Sequence, residues 1–247
     1  LIAQVKAILK RAPKHAPVVQ PATPEPEPGK VFGVLAAKGG IGVSTVALNL
    51  AVSLHEKTEE STIISDFRPG QGTLSLDLGL KNPEGMTSLL ENQRPINLDT
   101  IKGNLLPHPS GIKTFFSSYD PENAKHMVKA DEFFEITKHL QKLASYIILD
   151  LGPSFPPITE KVVGLCDRVI ICMEPAPNNI EQTKMLLNTL VEKGVGIGLI
   201  TNALINRMRT SVQLTWQQAE EQLGHNIATV FTPAPEMAYQ AAQANNP

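Results

Sequence analysis

The sequence predicts an α/β fold, in which a doubly wound, mostly parallel sheet is flanked by helices. Short apolar runs of strand length recur along the chain, and they alternate with longer stretches whose apolar residues follow helical spacing. The strand-like runs are continuously apolar, as expected for a parallel sheet that is covered on both faces. The predicted strands are residues 31–37, 61–65, 146–150, 168–174, 195–200 and 227–231, with shorter ones at 105–106 and 113–116.

Helices are predicted between these strands from apolar stripes. The first helix begins after the first strand and continues to Leu54. Further helices are predicted at 85–90, at 131–143, from 179, at 210–223 and from 236 onwards. In the helix that starts at 179 the inward stripe is predicted to be Ile180, Met185, Leu186, Leu187 and Leu190.

Composition narrows the class of protein. The chain has 247 residues, of which 42% are apolar, and a net charge of −2, so it is long enough for a full core and has no excess of positive charge for nucleic acid. Because there is no signal peptide and no apolar run near about 18 residues, we expect a cytoplasmic protein without a transmembrane segment. Cys166 and Cys172 lie in or beside apolar runs and are predicted to be reduced core residues.

The chain is predicted to have three parts. Residues 1–12 form an amphipathic helix, which resembles the last helix of a response-regulator receiver domain and then implies an upstream domain; an ordinary N-terminal helix is the alternative. Residues 13–29 contain six prolines and are predicted to be an extended linker. Residues 30–247 form the main domain.

A glycine-rich loop connects the first strand to the first helix. Residues 38–45 read KGGIGVST, so three glycines precede Ser44 and Thr45 at the helix start. Such a loop directs backbone N–H groups and a helix N-terminus at a phosphate, while the hydroxyls reach Mg²⁺ and phosphate oxygens. A plain tight turn is the alternative. The loop is not the G-x-G-x-x-G dinucleotide fingerprint, because the third glycine is missing.

Two aspartates follow buried strands. Asp66 comes directly after the strand at 61–65, and Asp150 ends the apolar run at 146–149. The carboxyl ends of parallel strands are where such a sheet binds ligands. Asp150 matches the pattern in which a strand-end carboxylate holds Mg²⁺ through water. Both aspartates are therefore candidates for a ligand site at this edge of the sheet.

Loop 38–45 resembles the deviant Walker A motif of the MinD/ParA ATPases, K-G-G-x-G-K-T/S-T, and the resemblance extends from residue 30 to 247. It implies a P-loop fold that binds ATP with Mg²⁺. It also implies a homodimer in which Lys38, the signature lysine, reaches the partner's phosphates. By the same resemblance, Lys38, Asp66 and Asp150 are the catalytic candidates, and Ser44, Asp66 and Asp150 are the predicted Mg²⁺ ligands. The nucleotide-binding candidates are Lys38, Gly39, Gly40, Ile41, Gly42, Val43, Ser44, Thr45, Asn202 at the adenine edge and Pro233 beside the base.

Two positions depart from the family pattern. Val43 replaces the lysine that supplies charge to the β- and γ-phosphates, and Arg68 replaces the second aspartate of D-x-D, which positions the attacking water. We therefore expect hydrolysis to be slow or absent. Arg68 is expected either to supply phosphate charge lost at Val43 or to be an exposed loop arginine.

Within the family, the sequence looks most like the TadZ/CpaE branch. The receiver-like N-terminus, the altered loop and Glu174-Pro175 after a strand carry that likeness. It implies an ATP-binding protein that localises a Flp/Tad pilus secretion apparatus at the cell pole or at the inner face of the membrane.

Other classes of function are weighed against this one. The first alternative is an active ATPase cycling on nucleoid DNA or membrane; Val43 and Arg68 count against it, and Arg207 with Arg209 is a thin basic cluster for DNA. An electron donor of the nitrogenase-reductase kind would need cysteines near the switch loops, where Cys166 and Cys172 do not lie. A pseudo-ATPase that binds no nucleotide stays open.

Overall fold

The structure is a computed structural model that describes residues 27–80, 85–91, 95–206 and 213–244. The amphipathic helix predicted at 1–12 and most of the predicted linker at 13–29 lie outside the described residues, as do Arg207 and Arg209. The described part forms an eight-stranded sheet with helices on both faces. The predicted fold class is confirmed.

The sheet is parallel apart from one short edge pairing. Its strands are β1 (Lys30–Ala36), β2 (Thr62–Asp66), β3 (Leu106–Pro107), β4 (Lys113–Phe116), β5 (Tyr146–Pro153), β6 (Arg168–Met173), β7 (Ile200–Ile205) and β8 (Ile227–Phe231). Their order is β3-β4-β2-β5-β1-β6-β7-β8, and only β3 pairs antiparallel, with β4. Strand β1 therefore lies in the middle, and its carboxyl end opens between β5 and β6.

Nine helices accompany the sheet in the part of the chain that the structure describes. They are α1 (Val43–Thr58), α2 (Leu74–Asp77), α3 (Gly85–Glu91), α4 (Leu98–Lys102), α5 (Ala130–Leu140), α6 (Pro157–Val162), α7 (Pro177–Glu192), α8 (Trp216–Leu223) and α9 (Pro235–Ala244), with 3₁₀ turns at Pro121–Val128, Val163–Leu165 and Ile197–Leu199. Among these described helices, none is both long and apolar enough to cross a membrane.

The core lies on both faces of the sheet because successive strand residues point to opposite sides. Ile147 and Leu149 of β5 belong to one apolar cluster, and Ile148 between them belongs to the other. The first cluster packs under α5, α6 and α7, and the second packs under α1. Continuous apolar runs are thus explained by burial on two sides. Cys166 and Cys172 are both buried free thiols, as predicted.

Three details of the predicted secondary structure are wrong. Residues 195–200 are not a strand; a 3₁₀ turn occupies Ile197–Leu199, and the strand runs from Ile200 to Ile205. Gly196 and Gly198 interrupt the apolar run at 195–200, whereas the polar Thr201 and Asn202 lie within strand β7. Met185 does not point inward but is 64% exposed, because the buried stripe of α7 follows Ile180, Leu187 and Leu190.

The third wrong detail is the start of the helix predicted at 210–223. It begins at Trp216, where Thr215 accepts a hydrogen bond from the Gln218 N–H and Gln218 bonds back to the Thr215 N–H. This reciprocal cap fixes the first turn. The helix ends at Gly224, as predicted, where φ is 74°. Residues 210–212 lie outside the described part.

Candidate functional site

The glycine-rich loop leaves the carboxyl end of β1 and enters α1 at Val43. Gly40 and Gly42 have φ values of 79° and 101°, which residues with a side chain rarely adopt. A Cβ built on either glycine would meet nothing within 4 Å, so the space beside the loop is open. The first N–H groups of a helix have no partners within it, and those of α1 follow the loop directly. The loop therefore suits an anion such as phosphate.

Side chains of the loop divide between core and surface. Ile41 and Val43 are 1% and 6% exposed and belong to the apolar cluster under α1. Val43 therefore contributes packing at the position where a lysine would contribute charge. Ser44 is half-buried and Thr45 is exposed, while Gly39 and Gly40 lie at the surface.

Lys38 lies at the outer edge of the loop. Its side chain is 45% exposed, and its Nζ is 3.3 Å from a carboxylate oxygen of Glu174, at the end of β6. This ion pair is in contact with solvent, where such pairs contribute little to stability. The pair leaves the Lys38 ammonium at the surface, next to the open face of the loop.

Asp66 and Asp150 lie side by side, since they are register partners on the adjacent strands β2 and β5. Both are buried, with exposed fractions of 1% and 0%. The N–H of Gly152 donates to the Asp150 Oδ1 at 3.0 Å. Two buried carboxylates in adjacent strands require a positive partner, because their mutual repulsion is not screened by water.

Arg68 supplies that positive partner. Its Nη2 donates to Asp150 Oδ2 at 2.9 Å, to Ser44 Oγ at 3.0 Å and to Asp66 Oδ2 at 3.3 Å. Its Nε donates to Asp66 Oδ1 at 3.2 Å, and its backbone N–H to the same oxygen at 3.1 Å. The side chain is only 13% exposed. The interpretation of Arg68 as an exposed loop residue is therefore wrong.

Two glycines make room for this cluster. Gly152 has a φ of 69°, and a Cβ there would collide with Cδ of Arg68. A Cβ on Gly72 would collide with the carboxylate oxygens of Asp66. The backbone thus approaches the ion pairs from two sides, and the arginine stem lies directly against Gly152. No signal in the sequence separates these glycines from ordinary turn glycines.

Asn202 does not occupy the predicted position after a strand. It lies inside β7, is 4% exposed, and its Nδ2 donates to the backbone oxygen of Asn226 at 3.0 Å. The asparagine that follows the strand is Asn206, whose backbone N–H donates to the Phe231 oxygen. Its Oδ1 is buried and accepts no hydrogen bond from the described residues. Correct placement of β7 would have pointed to Asn206. Pro233 is half-buried in the loop between β8 and α9.

Comparison with known proteins assigns the family. Residues 29–194 match the family model described as an AAA domain. The chain is also 28% identical over 217 residues to the chromosome partitioning protein ParA of Myxococcus xanthus, an alignment that covers 82% of this chain and 74% of that protein. The chain belongs to this family and, with it, to the MinD/ParA ATPase superfamily. Further curated relatives are covered over 56% to 79% of their length.

Solved structures of this superfamily share the fold. A ParA family ATPase from Chlorobium tepidum superposes with a TM-score of 0.79 at 20% identity, over 88% of this chain and 90% of that one. MinD of Pyrococcus horikoshii, solved in complex with Mg-ADP, gives a TM-score of 0.70 at 17% identity, over 89% and 87%. Membership of the superfamily implies nucleotide binding. At these identities the structural likeness establishes the fold alone.

The oxygens predicted to hold Mg²⁺ do not fit that ion in this MinD/ParA chain. Ser44, Asp66 and Asp150 each accept a hydrogen bond from the same Arg68 nitrogen. Mg²⁺ requires six oxygen ligands at about 2.1 Å in near-octahedral geometry, and the guanidinium lies where they converge. Elsewhere in the described residues, no group of three or more His, Cys, Asp or Glu side chains is arranged to hold a metal ion.

The electrostatics of the cluster follow from burial. Burial raises the pKa of Asp66 to about 7, with a further contribution from the charge of Asp150, while Arg68 opposes both. Burial also raises the pKa of Asp150, against the lowering effects of Arg68 and of the hydrogen bonds from Ser44 and Gly152. For Arg68, burial lowers the pKa, but the two carboxylates outweigh it and leave the pKa above its ordinary value. The guanidinium is therefore a permanent cation between two carboxyl groups whose pKa values are raised.

Proposed function

We propose that this chain is an ATP-binding protein of the MinD/ParA type that hydrolyses ATP slowly or not at all and acts as a dimeric localisation scaffold. The observation that carries the proposal is the Arg68 guanidinium between Asp66 and Asp150. It stands in the part of the site where related ATPases organise the metal ion and the attacking water.

Nucleotide binding is supported by the loop. The left-handed Gly40 and Gly42, the open space beside them and the start of α1 suit a phosphate. These features belong to the backbone, so the loss of a lysine at Val43 leaves them in place. Two side-chain cations accompany the loop. Lys38 is its first residue. The Arg68 guanidinium donates a hydrogen bond to Ser44 Oγ. We propose that ATP phosphates bind at residues 38–45, with Asn206 rather than Asn202 near the base.

Slow hydrolysis follows from four side chains. Val43 packs in the core and gives no charge to the transferred phosphate. Arg68 stands where the family has a second aspartate, and its guanidinium has no acceptor atom with which to orient water. Asp66 and Asp150 are engaged by that guanidinium. Phosphoryl transfer depends on positioning and charge stabilisation, so each loss lowers the rate.

Dimerisation is proposed to involve the exposed Lys38. Its ammonium is at the surface, and among the described residues it forms an ion pair with Glu174. In the proposed dimer it would contact the phosphates bound by the other protomer. Lys38→Ala should then abolish an ATP-dependent dimer, whereas Lys193→Ala, which removes another surface ion-pair lysine, should not. An unchanged dimer mass for Lys38→Ala in light scattering would contradict this part of the proposal.

The biological role proposed for the scaffold is to localise a Flp/Tad pilus secretion apparatus at a cell pole. It is supported by the likeness of the sequence to the TadZ/CpaE branch. A second role, as an active partitioning ATPase on nucleoid DNA or membrane, is favoured by the similarity to relatives such as the chromosome partitioning protein ParA of Myxococcus xanthus. Phosphate release separates the two, because a partitioning cycle requires turnover and a nucleotide-bound scaffold does not.

The central test is calorimetric titration of ATP into the purified chain, with phosphate release followed in the same sample. We expect saturable heat of binding and negligible release. Gly42→Ala should weaken binding, because it strains the loop. Gly194→Ala is the matched control: its φ of 90° is similar and its Cβ would also meet open space, but it lies in a distant turn. Steady turnover by the wild type would favour the partitioning ATPase. Equal binding by Gly42→Ala and the wild type would remove loop 38–45 as the binding site.

A further inference from the structure

We propose that the Arg68 guanidinium is the resident cation of this site and takes the place of a divalent metal ion. The chain then binds no Mg²⁺ between Ser44, Asp66 and Asp150, and any phosphate held by loop 38–45 is bound as the metal-free anion. The identity of that anion rests on the proposed function. The occupation of the metal position by Arg68 does not.

The geometry around one nitrogen carries the inference. Three side-chain oxygens from three elements, α1, β2 and β5, converge on Arg68 Nη2 at 3.0, 3.3 and 2.9 Å. These oxygens are a hydroxyl and two carboxylates, the hard donors that Mg²⁺ prefers. One cationic N–H group satisfies all three. A metal ion at the same centre would overlap the guanidinium.

The two buried carboxylates of the cluster are stabilised by a cation that is always present. Asp66 and Asp150 are almost completely buried and adjacent in register, so removal of the positive charge leaves unscreened repulsion. A soluble ion relieves this repulsion only when it is bound. Arg68 relieves it permanently, since its charge does not titrate in the ordinary pH range.

The backbone keeps Arg68 in this position. Arg68 is two residues from Asp66, and its own N–H is bonded to the Asp66 carboxylate at 3.1 Å. The short tether gives the guanidinium a high effective concentration at the carboxylates, against which millimolar Mg²⁺ must compete. The stem packs against Gly152, where any Cβ would collide with it. These contacts hold the Arg68 side chain in one place, unlike an ion pair between two exposed side chains.

The consequence for the site is a change of chemistry. Arg68 contributes a single positive charge with directional N–H donors, and it has neither the double charge nor the water ligands of Mg²⁺. It can neutralise part of the charge of a phosphate next to Ser44. It cannot bring an ordered water to that phosphate. Arg68 in the place of Mg²⁺ therefore retains the binding of an anion, and it removes the ordered water that the metal ion would hold.

The test measures the metal dependence of stability without any nucleotide. Thermal melts are recorded in EDTA and in millimolar MgCl₂ for the wild type, Arg68→Ala and Arg168→Ala. The last is the matched control, an exposed arginine at the start of β6 that bonds only to the backbone oxygen of Gly198 among the contacts described. We expect no shift by Mg²⁺ in the wild type or in the control. Arg68→Ala should melt lower in EDTA and be raised by about 5 °C in Mg²⁺, because the two carboxylates then accept the metal.

Either of two results would overturn the inference. One is a rise of the wild-type melting temperature in Mg²⁺ as large as that of Arg68→Ala. The other is a folded Arg68→Ala protein that is indifferent to Mg²⁺. Should Arg68→Ala fail to fold, Mn²⁺ binding to the wild type is measured by electron paramagnetic resonance: no stoichiometric binding supports the inference, and binding that is lost in Asp150→Asn overturns it.

A nucleotide titration separates this inference from the proposed function. ATP is titrated into the wild type in EDTA and in MgCl₂. We expect weaker apparent binding in MgCl₂ than in EDTA, because Mg²⁺ chelates ATP and lowers the concentration of the metal-free anion that the site binds. Binding that requires Mg²⁺ would overturn the inference and leave the nucleotide-binding proposal standing. Absence of binding in both buffers would remove the nucleotide-binding proposal, while the melts and Mn²⁺ binding still decide the role of Arg68.

Discussion

The two halves of the candidate site are built from different parts of the chain. The loop at 38–45 is made of backbone: glycines with positive φ, open space and a helix start. The carboxylate cluster is made of side chains: Asp66, Arg68 and Asp150 in direct contact. The loop remains suited to an anion although its lysine is replaced by Val43. The cluster is changed by one residue, Arg68, from a site that suits a metal ion to one that holds its own cation.

This difference shows why the two halves tolerate substitution unequally. N–H groups of a loop and a helix start are set by backbone conformation, so replacing one neighbouring side chain leaves them in place. A metal site depends on the charge and position of each ligand, and a cation tethered beside it competes directly for those ligands. We therefore expect that binding and turnover can be separated in this chain, and variants of the two halves should behave differently.

The largest expected effect comes from Gly152→Ala. A Cβ at this residue collides with the Arg68 stem and also strains a φ of 69°. Strain and overpacking together should cost about 2–5 kcal/mol in the free energy of unfolding. Denaturant titration measures it. Gly194→Ala has similar strain at a φ of 90° with open space around its Cβ, so it should cost only about 1 kcal/mol. Equal losses for the two variants would show that Arg68 does not pack against Gly152.

The next effect concerns pH. The pKa of Asp66 is raised to about 7 in the folded protein, and the ordinary value of about 4 applies when the chain is unfolded. The folded state then binds more protons than the unfolded state between these values, so the free energy of unfolding falls as pH rises from about 4 to 7. The raised pKa of Asp150 acts in the same direction.

Denaturant titrations at intervals across that pH range check this prediction. The total fall should be on the order of a few kcal/mol. Asp66→Asn should flatten the dependence, while Asp99→Asn, an exposed aspartate in the first turn of α4, should leave it unchanged. A stability that rises with pH in the wild type would mean that Arg68 outweighs burial at Asp66.

The fold could be predicted from the sequence because strands that are buried on both faces of a sheet have continuously apolar sequences. Continuous apolar runs marked β1, β2 and β6 within one residue, and they marked the start of β5. The prediction failed at β7, where polar Thr201 and Asn202 lie inside the strand and the glycine-punctuated run before it is not a strand. Local hydrophobicity does not show which polar residues lie inside a strand, because that depends on hydrogen-bond partners elsewhere in the chain. The error moved the asparagine after β7 from Asn206 to Asn202.

The site could be predicted only in part for a similar reason. Loop 38–45 and the two strand-end aspartates are local patterns, and the structure brings Ser44, Asp66 and Asp150 together. The conformation of Arg68 depends on contacts with residues 24 and 82 positions away along the chain, and on the absence of a Cβ at Gly152. The resemblance to the family's D-x-D motif identifies Arg68 as unusual. It does not distinguish an arginine facing solvent from one that occupies the metal position.

The smallest expected effect distinguishes two adjacent hydroxyls. Ser44 Oγ accepts from Arg68 Nη2 at 3.0 Å, whereas Thr45 is exposed on the next position of α1. Ser44→Ala should lower the free energy of unfolding by about 1–2 kcal/mol, because the hydrogen bonds of Ser44 with Arg68 and Asp150 are lost while two carboxylates still hold the guanidinium. Thr45→Ala should lie within about 0.5 kcal/mol of the wild type. Denaturant titration in EDTA resolves this difference. The same order must persist in MgCl₂ if Arg68 occupies the metal position, because Ser44 then has no metal ion to bind; a loss for Ser44→Ala that grows in MgCl₂ would mean that Ser44 binds the metal.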